Sequence, residues 1–269
     1  MQYLIIHVML PNTCTSVIPV PVGSNYVWLV VLPESKQCLV IDPTDYETVH
    51  LALQQHQLQP TAILVTHHHP DHVGGIETLC NEYGGLAVYA PASEQIEHTT
   101  HPVQQDDLLS WQGFCVRVIH IPGHTLGHIA YVGHGLLFAG DTLFAAGCGR
   151  VFEGTYEQMY ASLCTLTYLP ADTLLYCAHE YTYDNLQFAQ LVQPDNLHVA
   201  KRLQHVKNLR AQGLPTLPCP LSLELLTNPF LRCHMPQLQQ KAQQHCGKVL
   251  HNPCEVFAVL RQWKDSWVP

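Results

Sequence analysis

The 269-residue chain has no C-x-x-C pair, no run of basic residues and no apolar stretch long enough to span a bilayer. Its eleven cysteines are an odd number, and the closest two, Cys246 and Cys254, stand eight residues apart. Neither a disulfide framework nor a cysteine zinc site is written into that spacing. The cysteines read as reduced thiols that fill a core in a reducing compartment. Only 12% of residues are charged, with 12 Lys and Arg against 21 Asp and Glu, a formal charge of −9. That balance excludes a nucleic-acid protein working by phosphate neutralisation. The apolar start at residues 3–11 carries no basic leader and no small-residue cleavage site. It also falls far short of the roughly 20 residues of a membrane span. The expectation is a soluble, cytoplasmic, unexported chain that acts as a monomer without membrane or nucleic-acid partners.

What is present is apolar: 47% of the residues, too many for a disordered or collagen-like protein. At roughly 150 residues per domain, the length allows one large domain or a large one with a small one. The first two thirds alternate short β-rich runs with helical segments. Strands are expected at 26–32, 38–41, 62–66, 87–89, 114–120, 128–132, 136–139 and 173–177, and helices at 46–55 and 75–83. A further helix begins at Thr155, where Thr155 and Gln158 can form a capping box and Met159, Leu163 and Leu166 give an apolar stripe. Beyond about residue 180 the period turns helical. Val199, Leu203, Val206 and Leu209 share a face, Gly213 and Pro215 stop that helix, and 255–264 reads as a terminal helix that packs on its neighbour, with no chemistry assigned to it.

The nineteen histidines outnumber Lys and Arg together, and their clustering carries the chemistry. The strand at 62–66 runs into His67-His68-His69-Pro70-Asp71-His72, an H-x-H-x-D-H pattern. Alternate side chains of an extended segment face the same way. His67 and His69 can therefore reach one metal ion, while Asp71 and His72, just past the turn, can reach another; His68 points away. Four ligands do not close two sites, so donors must come from later in the chain. His124 in the turn after 114–120, Asp141 at the end of 136–139 and His179 after 173–177 are candidates, each on a loop beyond an apolar strand. Imidazole and carboxylate suit zinc, iron and manganese alike. His128 is a candidate support from outside the ligand set. Asp42 either holds a ligand histidine or caps an ordinary turn. Gly147 and Gly149 either let backbone approach a substrate or form a turn.

The run Thr66 to His72, the later Pro122-Gly123-His124-Thr125, Gly140-Asp141-Thr142 and His179 together resemble the metallo-β-lactamase superfamily. Gly147 to Arg150, Phe152 to Thr155, His179-Glu180-Tyr181-Thr182 and Asn228 to Arg232 are similar to the glyoxalase II, or hydroxyacylglutathione hydrolase, family. The resemblance covers about Asn25 to Arg232. It implies an α+β fold, an αββα sandwich over residues 1–179 followed by a small helical substrate-binding domain over 180–269. It implies two divalent ions, with zinc expected and iron or manganese possible. His67, His69 and His124 would bind the first, Asp71, His72 and His179 the second, and Asp141 would bridge.

The resemblance further implies hydrolysis of S-(2-hydroxyacyl)glutathione thioesters such as S-D-lactoylglutathione, the second step of methylglyoxal detoxification. The ion charges, two aspartates and a bridging hydroxide leave a site of about +1, which attracts an anion. Metal binding lowers the pKa of water to about 7, giving a hydroxide nucleophile at neutral pH. A thiolate leaves with little protonation, its thiol pKa being about 8.5, so no general acid is needed. Asp71 is the expected catalytic residue, orienting the nucleophile. Arg150 and Arg232 would meet substrate carboxylates, with Tyr181 as a hydroxyl donor and Phe152 standing where some relatives have Tyr. A Lys expected shortly after Arg232 in animal-type members is replaced by Cys233-His234-Met235-Pro236. The competing reading is a glutathione persulfide dioxygenase that uses a single iron; the intact Asp71, His72 and His179 favour the hydrolase.

Overall fold

A computed structural model describes residues 6–10, 13–32 and 35–268. The apolar start at 3–11 therefore lies partly outside the described residues. Contacts divide the described chain into two compact units, one drawn from Met1–His120 and Gly127–Gly140, the other from Ile121–Leu126 and Asp141–Pro269. Among the described residues no helix is long and apolar enough to cross a membrane.

The first unit contains β1 (Ile6–Leu10), β2 (Thr13–Val22), β3 (Asn25–Leu32), β4 (Gln37–Ile41), α1 (Tyr46–His56), β5 (Gln59–Leu64), α2 (Pro70–Val73), α3 (Ile76–Tyr83), β6 (Ala87–Pro91), β7 (His101–Val103), β8 (Leu108–Trp111), β9 (Phe114–His120), β10 (Ile129–Gly133) and β11 (Leu136–Gly140). Strands β1 to β7 form one sheet in chain order. It is antiparallel through β4 and parallel from β4 to β7. Parallel neighbours need a crossover, which α1 and α3 supply. Asp45 starts α1 by accepting a hydrogen bond from the Thr48 amide at 2.8 Å. The helix then buries Val49, Ala52 and Leu53 in a core that includes Ile18, Val27, Leu29 and Ile63.

Strands β8 to β11 pair antiparallel in the order β11-β10-β9-β8. Strand β9 shows why: Phe114, Val116 and Val118 are buried while Cys115 and Arg117 are exposed, the period-2 pattern of a half-buried strand. Strand β2 was not legible in the sequence. Pro19 and Pro21 weaken a strand reading, yet they pair opposite Trp28 and Tyr26.

The second unit contains β12 (Leu143–Phe144), β13 (Gly147–Cys148), α4 (Tyr156–Thr167), β14 (Leu174–Cys177), α5 (Thr182–Val192), α6 (Leu197–Ala211), β15 (Cys219–Pro220), α7 (Leu221–Thr227), a 3-10 turn at Pro229–Leu231, α8 (Pro236–Cys246) and α9 (Pro253–Ser266). The Thr155–Gln158 capping box forms, and Met159, Leu163 and Leu166 are buried. In α6, Val199 and Val206 are buried and pack with Leu186 and Ala189 of α5. The expected all-helical run beyond 180 is interrupted by β15, which pairs with β14.

A buried polar cluster fixes the turn between β12 and β13. Glu224, fully buried, accepts from the Ala146 amide at 2.7 Å and pairs with Arg202 at 2.6 Å. Asn228 donates to the carbonyls of Phe144 at 3.2 Å and Gly147 at 2.9 Å. The Asn228 to Arg232 motif thus begins as a clamp on the loop that carries Gly147 to Arg150.

Candidate metal centre and substrate cavity

In the first unit, the donors emerge beyond the C-terminal end of β5, inside the parallel run, where α/β sheets commonly present functional groups. Asp42 holds that end. Its carboxylate accepts from the Thr66 amide and the Thr66 hydroxyl, both at 2.8 Å, and stands 3.1 Å from His72 Nδ1. Of the two readings for Asp42, support of a ligand histidine is therefore the one the contacts favour. Gly140 must be glycine here: its φ is +47°, and a Cβ would collide with Thr66 and His128.

His67 is fully buried, with Nε2 3.0 Å from His69 Nδ1. The His72 ring lies 4.1 Å from that of His67, and the buried His128 stacks on His67 at 4.5 Å. His68 turns to Glu94 instead, at 2.9 Å. Asp71 is half-exposed, its Oδ2 accepting from Asn25 Nδ2 at 2.9 Å and lying 3.7 Å from His72 Nε2. His67, His69, Asp71 and His72 thus gather at one strand end.

In the second unit, His124, Asp141 and His179 form a second group, all buried. The Pro122 carbonyl accepts from Ser162 Oγ at 2.7 Å, which holds the His124 turn to α4. His124 Nδ1 donates to the Arg150 carbonyl at 2.8 Å. A carbonyl only accepts, so this bond fixes the tautomer and leaves the Nε2 lone pair for a ligand. Asp141 Oδ2 lies 3.4 Å from His124 Nε2 and 3.2 Å from His179 Nε2. Ligand atoms about 2.0–2.2 Å from a tetrahedral zinc stand about 3.3–3.6 Å apart. One carboxylate oxygen beside two imidazole nitrogens at nearly that spacing fits divalent ions, as does the donor chemistry. His179 stacks on Tyr181 at 4.6 Å with ring planes 2° apart.

Gly149 approaches so closely that a Cβ would strike the Asp141 carbonyl, while at Gly147 it would strike Asn185. Both glycines therefore serve packing around the turn, and Gly149 also lines the cavity beside it.

That cavity, about 420 Å³, is lined by His124, Asp141, Arg150, Phe152, Tyr181 and Lys264 among others. Phe152 is largely exposed and meets His124 edge to face at 5.2 Å. Arg150 stands 3.5 Å from Asp265. The Lys264 ammonium sits over the Trp267 ring at 4.4 Å. Burial, followed by the nearby Arg261, pulls the Lys264 pKa down to about 8.

Arg232, expected to meet substrate carboxylates, lies apart from this cavity: its Nε donates to Gln193 at 2.9 Å and its Nη1 to the Leu225 carbonyl at 3.0 Å, in a different hollow. The terminal helix does more than pack. Arg261, Lys264 and Trp267 of α9 and its end all line the cavity, and Arg261 donates to the Cys148 carbonyl at 2.7 Å. Their three-residue spacing, which puts them on one helix face, was the signal available in the sequence.

The metallo-β-lactamase superfamily model matches residues 20–179, and the model for the hydroxyacylglutathione hydrolase C-terminus matches 180–267. A hydroxyacylglutathione hydrolase from Aeromonas hydrophila is 49% identical over 251 residues, 93% of this chain and 98% of its own. The chain belongs to the hydroxyacylglutathione hydrolase family. The Nitrosomonas eutropha hydroxyacylglutathione hydrolase is likewise 49% identical, over 90% of this chain and 95% of its own.

Two solved structures share the fold of this hydroxyacylglutathione hydrolase family member. They are the BLEG-1 B3 metallo-β-lactamase, with a TM-score of 0.58 at 21% identity over 85% of this chain and 99% of that one, and ETHE1 from Myxococcus xanthus, with 0.54 at 23% over 87% and 99%. The metallo-β-lactamase fold, followed by a C-terminal helical domain, is thus the fold of the chain. Family and fold support a hydrolase that depends on divalent metal ions.

Proposed function

We propose that the chain hydrolyses S-(2-hydroxyacyl)glutathione thioesters, S-D-lactoylglutathione among them, to glutathione and a 2-hydroxy acid at a binuclear metal centre. The observation that carries the reading is the Asp141 oxygen between His124 and His179 on the wall of a cavity that also holds Lys264. In this reading His67, His69 and His124 hold one ion and Asp71, His72 and His179 the other, with Asp141 shared. Zinc is proposed, with iron and manganese compatible with the same donors.

When bound, such ions polarise a thioester carbonyl and make water acidic enough to attack near neutral pH. The chain's own groups do the rest. Asp71 accepts a hydrogen bond from the attacking water through one oxygen while Asn25 fixes the other. Lys264 and Arg150 meet the carboxylates of the glutathionyl part, Lys264 inside the cavity and Arg150 at its exposed edge. The Tyr181 ring, stacked on His179, offers its hydroxyl to the same ligand. Because a thiolate is a good leaving group, no protonated side chain need stand behind the sulfur.

We further assign the metal-holding role to residues 1–179 and substrate binding mainly to 180–269, a division supported by the junction of the two matched families between 179 and 180. Arg150 and Phe152 are the earlier-chain members of the substrate wall. The proposed setting is a monomer in the cytoplasm, acting in methylglyoxal detoxification. Burial raises the thiols of Cys38 and Cys177 to about 12, which keeps them protonated.

The persulfide dioxygenase alternative is disfavoured because the relatives at 49% identity are named hydrolases, while the likeness to ETHE1 stands at 23%. The test is elemental analysis of the purified chain beside the decay of thioester absorbance on S-D-lactoylglutathione. Close to two ions per chain with thioester loss is the expected result. Oxygen uptake with glutathione persulfide and no thioester cleavage would overturn it.

A further inference from the structure

Arg232 ends the Asn228 to Arg232 motif, and nothing in the proposed reaction uses it. Its guanidinium is half-buried, yet its partners among the described residues are neutral: the Gln193 side-chain carbonyl and the Leu225 main-chain carbonyl. The buried arginines Arg202 and Arg261 instead meet carboxylates, Glu224 at 2.6 Å and Asp265 at 3.0 Å. Burial pulls the Arg232 pKa down, with no carboxylate opposing that shift. A cation removed from water without an anion is costly. A guanidinium with Nε and one Nη1 hydrogen engaged still presents an Nη1–Nη2 edge able to grip a carboxylate with two parallel bonds.

Arg232 lines a cavity of about 600 Å³ whose wall also carries Lys241 of α8 and His198 of α6. Asp195 is the carboxylate of that wall. Two permanent cations against one acid are the reverse of a chain with 12 basic and 21 acidic residues. Much of the remaining wall is side-chain amide, including Gln237 and Gln244. Amides both donate and accept, so they match the peptide groups of a ligand as well as its charge.

We propose that this cavity is a second binding site, outside the proposed catalytic cavity, for a small peptide-like acid whose carboxylate lies between Arg232 and Lys241. The site stands or falls independently of the thioester reaction. Glutathione, which has two carboxylates and two amides, is the probe.

The test is calorimetric titration of the full, metal-loaded chain with reduced glutathione, in a Lys264→Ala background that weakens binding at the catalytic cavity. The expected result is residual saturable binding that weakens at least tenfold on adding Lys241→Gln and similarly with Arg232→Gln. Lys241 is a half-exposed position on α8, so that substitution keeps the test decisive if Arg232→Gln does not fold. Inorganic phosphate, titrated in parallel, is expected to bind at least tenfold more weakly than glutathione. Residual binding indifferent to Lys241→Gln, no residual binding, or phosphate binding as tightly as glutathione would each overturn the proposal. Thioester turnover in the Lys264→Ala chain reports separately on the catalytic reading. Unchanged KM and kcat there, with Lys241-dependent glutathione binding, would remove the first and leave the second.

Discussion

Asn25 donates its side-chain amide to Asp71 Oδ2 at 2.9 Å and also reaches the Asp71 main-chain carbonyl at 3.3 Å. One oxygen of the carboxylate is thereby committed, and the rotation that would exchange the two oxygens is resisted. In the proposed reaction Asn25 is a positioning residue for Asp71. Hydrogen bonds to a charged group contribute about 1.5–3 kcal/mol. Asn25→Ala is therefore expected to lower kcat on S-D-lactoylglutathione about 10- to 100-fold, with KM moved less. Asn25→Asp, which sets one carboxylate against another, should be at least as damaging. A kcat within twofold of the unsubstituted chain for both variants would show that Asp71 needs no such hold.

Asp141 offers one oxygen near two histidines of its own unit. In the proposed binuclear centre, Asp141→Asn would keep the shape but remove the charge that a shared ligand supplies between two cations. The purified variant should retain no more than about half the metal of the unsubstituted chain, and turnover should fall by at least 100-fold. Elemental analysis and the thioester assay read the two effects separately.

Lys264 gives the reading a pH signature. With its pKa lowered to about 8, the ammonium is charged below that pH and lost above it. KM for a glutathione thioester should therefore rise as pH climbs through about 8, and Lys264→Arg, charged throughout, should flatten the rise. The stability linkage has a definite sign. Between about 8 and the ordinary lysine value of 10.5, the unfolded chain binds more protons than the folded one. The contribution of Lys264 to stability thus increases with pH across that window. Denaturant unfolding at pH 8 and pH 10, compared between the unsubstituted chain and Lys264→Met, measures that slope.

Glu224 anchors the second unit from inside. Removing one partner of a buried ion pair costs about 3–5 kcal/mol because the other charge is stranded. Glu224→Ala should destabilise by that order and leave both the Arg202 guanidinium and the Ala146 amide unsatisfied. Chemical denaturation gives the number, and a loss below about 1 kcal/mol would mean that water replaces the carboxylate at little cost.

Much of this architecture could be read from residue order because its signals are local. The strand at 62–66 followed by alternating histidines sets which side chains share a face, and the Thr155–Gln158 box marks its helix start within four residues. What stayed hidden depends on distant partners. Pro19 and Pro21 masked β2, which is held by β1 and β3 on its two sides. Asp42 looked like any turn aspartate until Thr66 and His72 were found against it, 24 and 30 positions along the chain. Arg232 was assigned by motif and Lys264 was overlooked, because cavity walls are set by packing and motif position carries no direction. Arg261 reaches Cys148 across 113 residues, a contact that no periodicity reveals.

The bond from His124 reaches residue 150 through its main chain, not its side chain. Every amino acid offers that same carbonyl. The imidazole is thus kept in one tautomer whatever sits at 150. If the proposed roles of His124 and Arg150 hold, selectivity can change by ordinary point mutation at the rim while the grip on the ions is inherited intact.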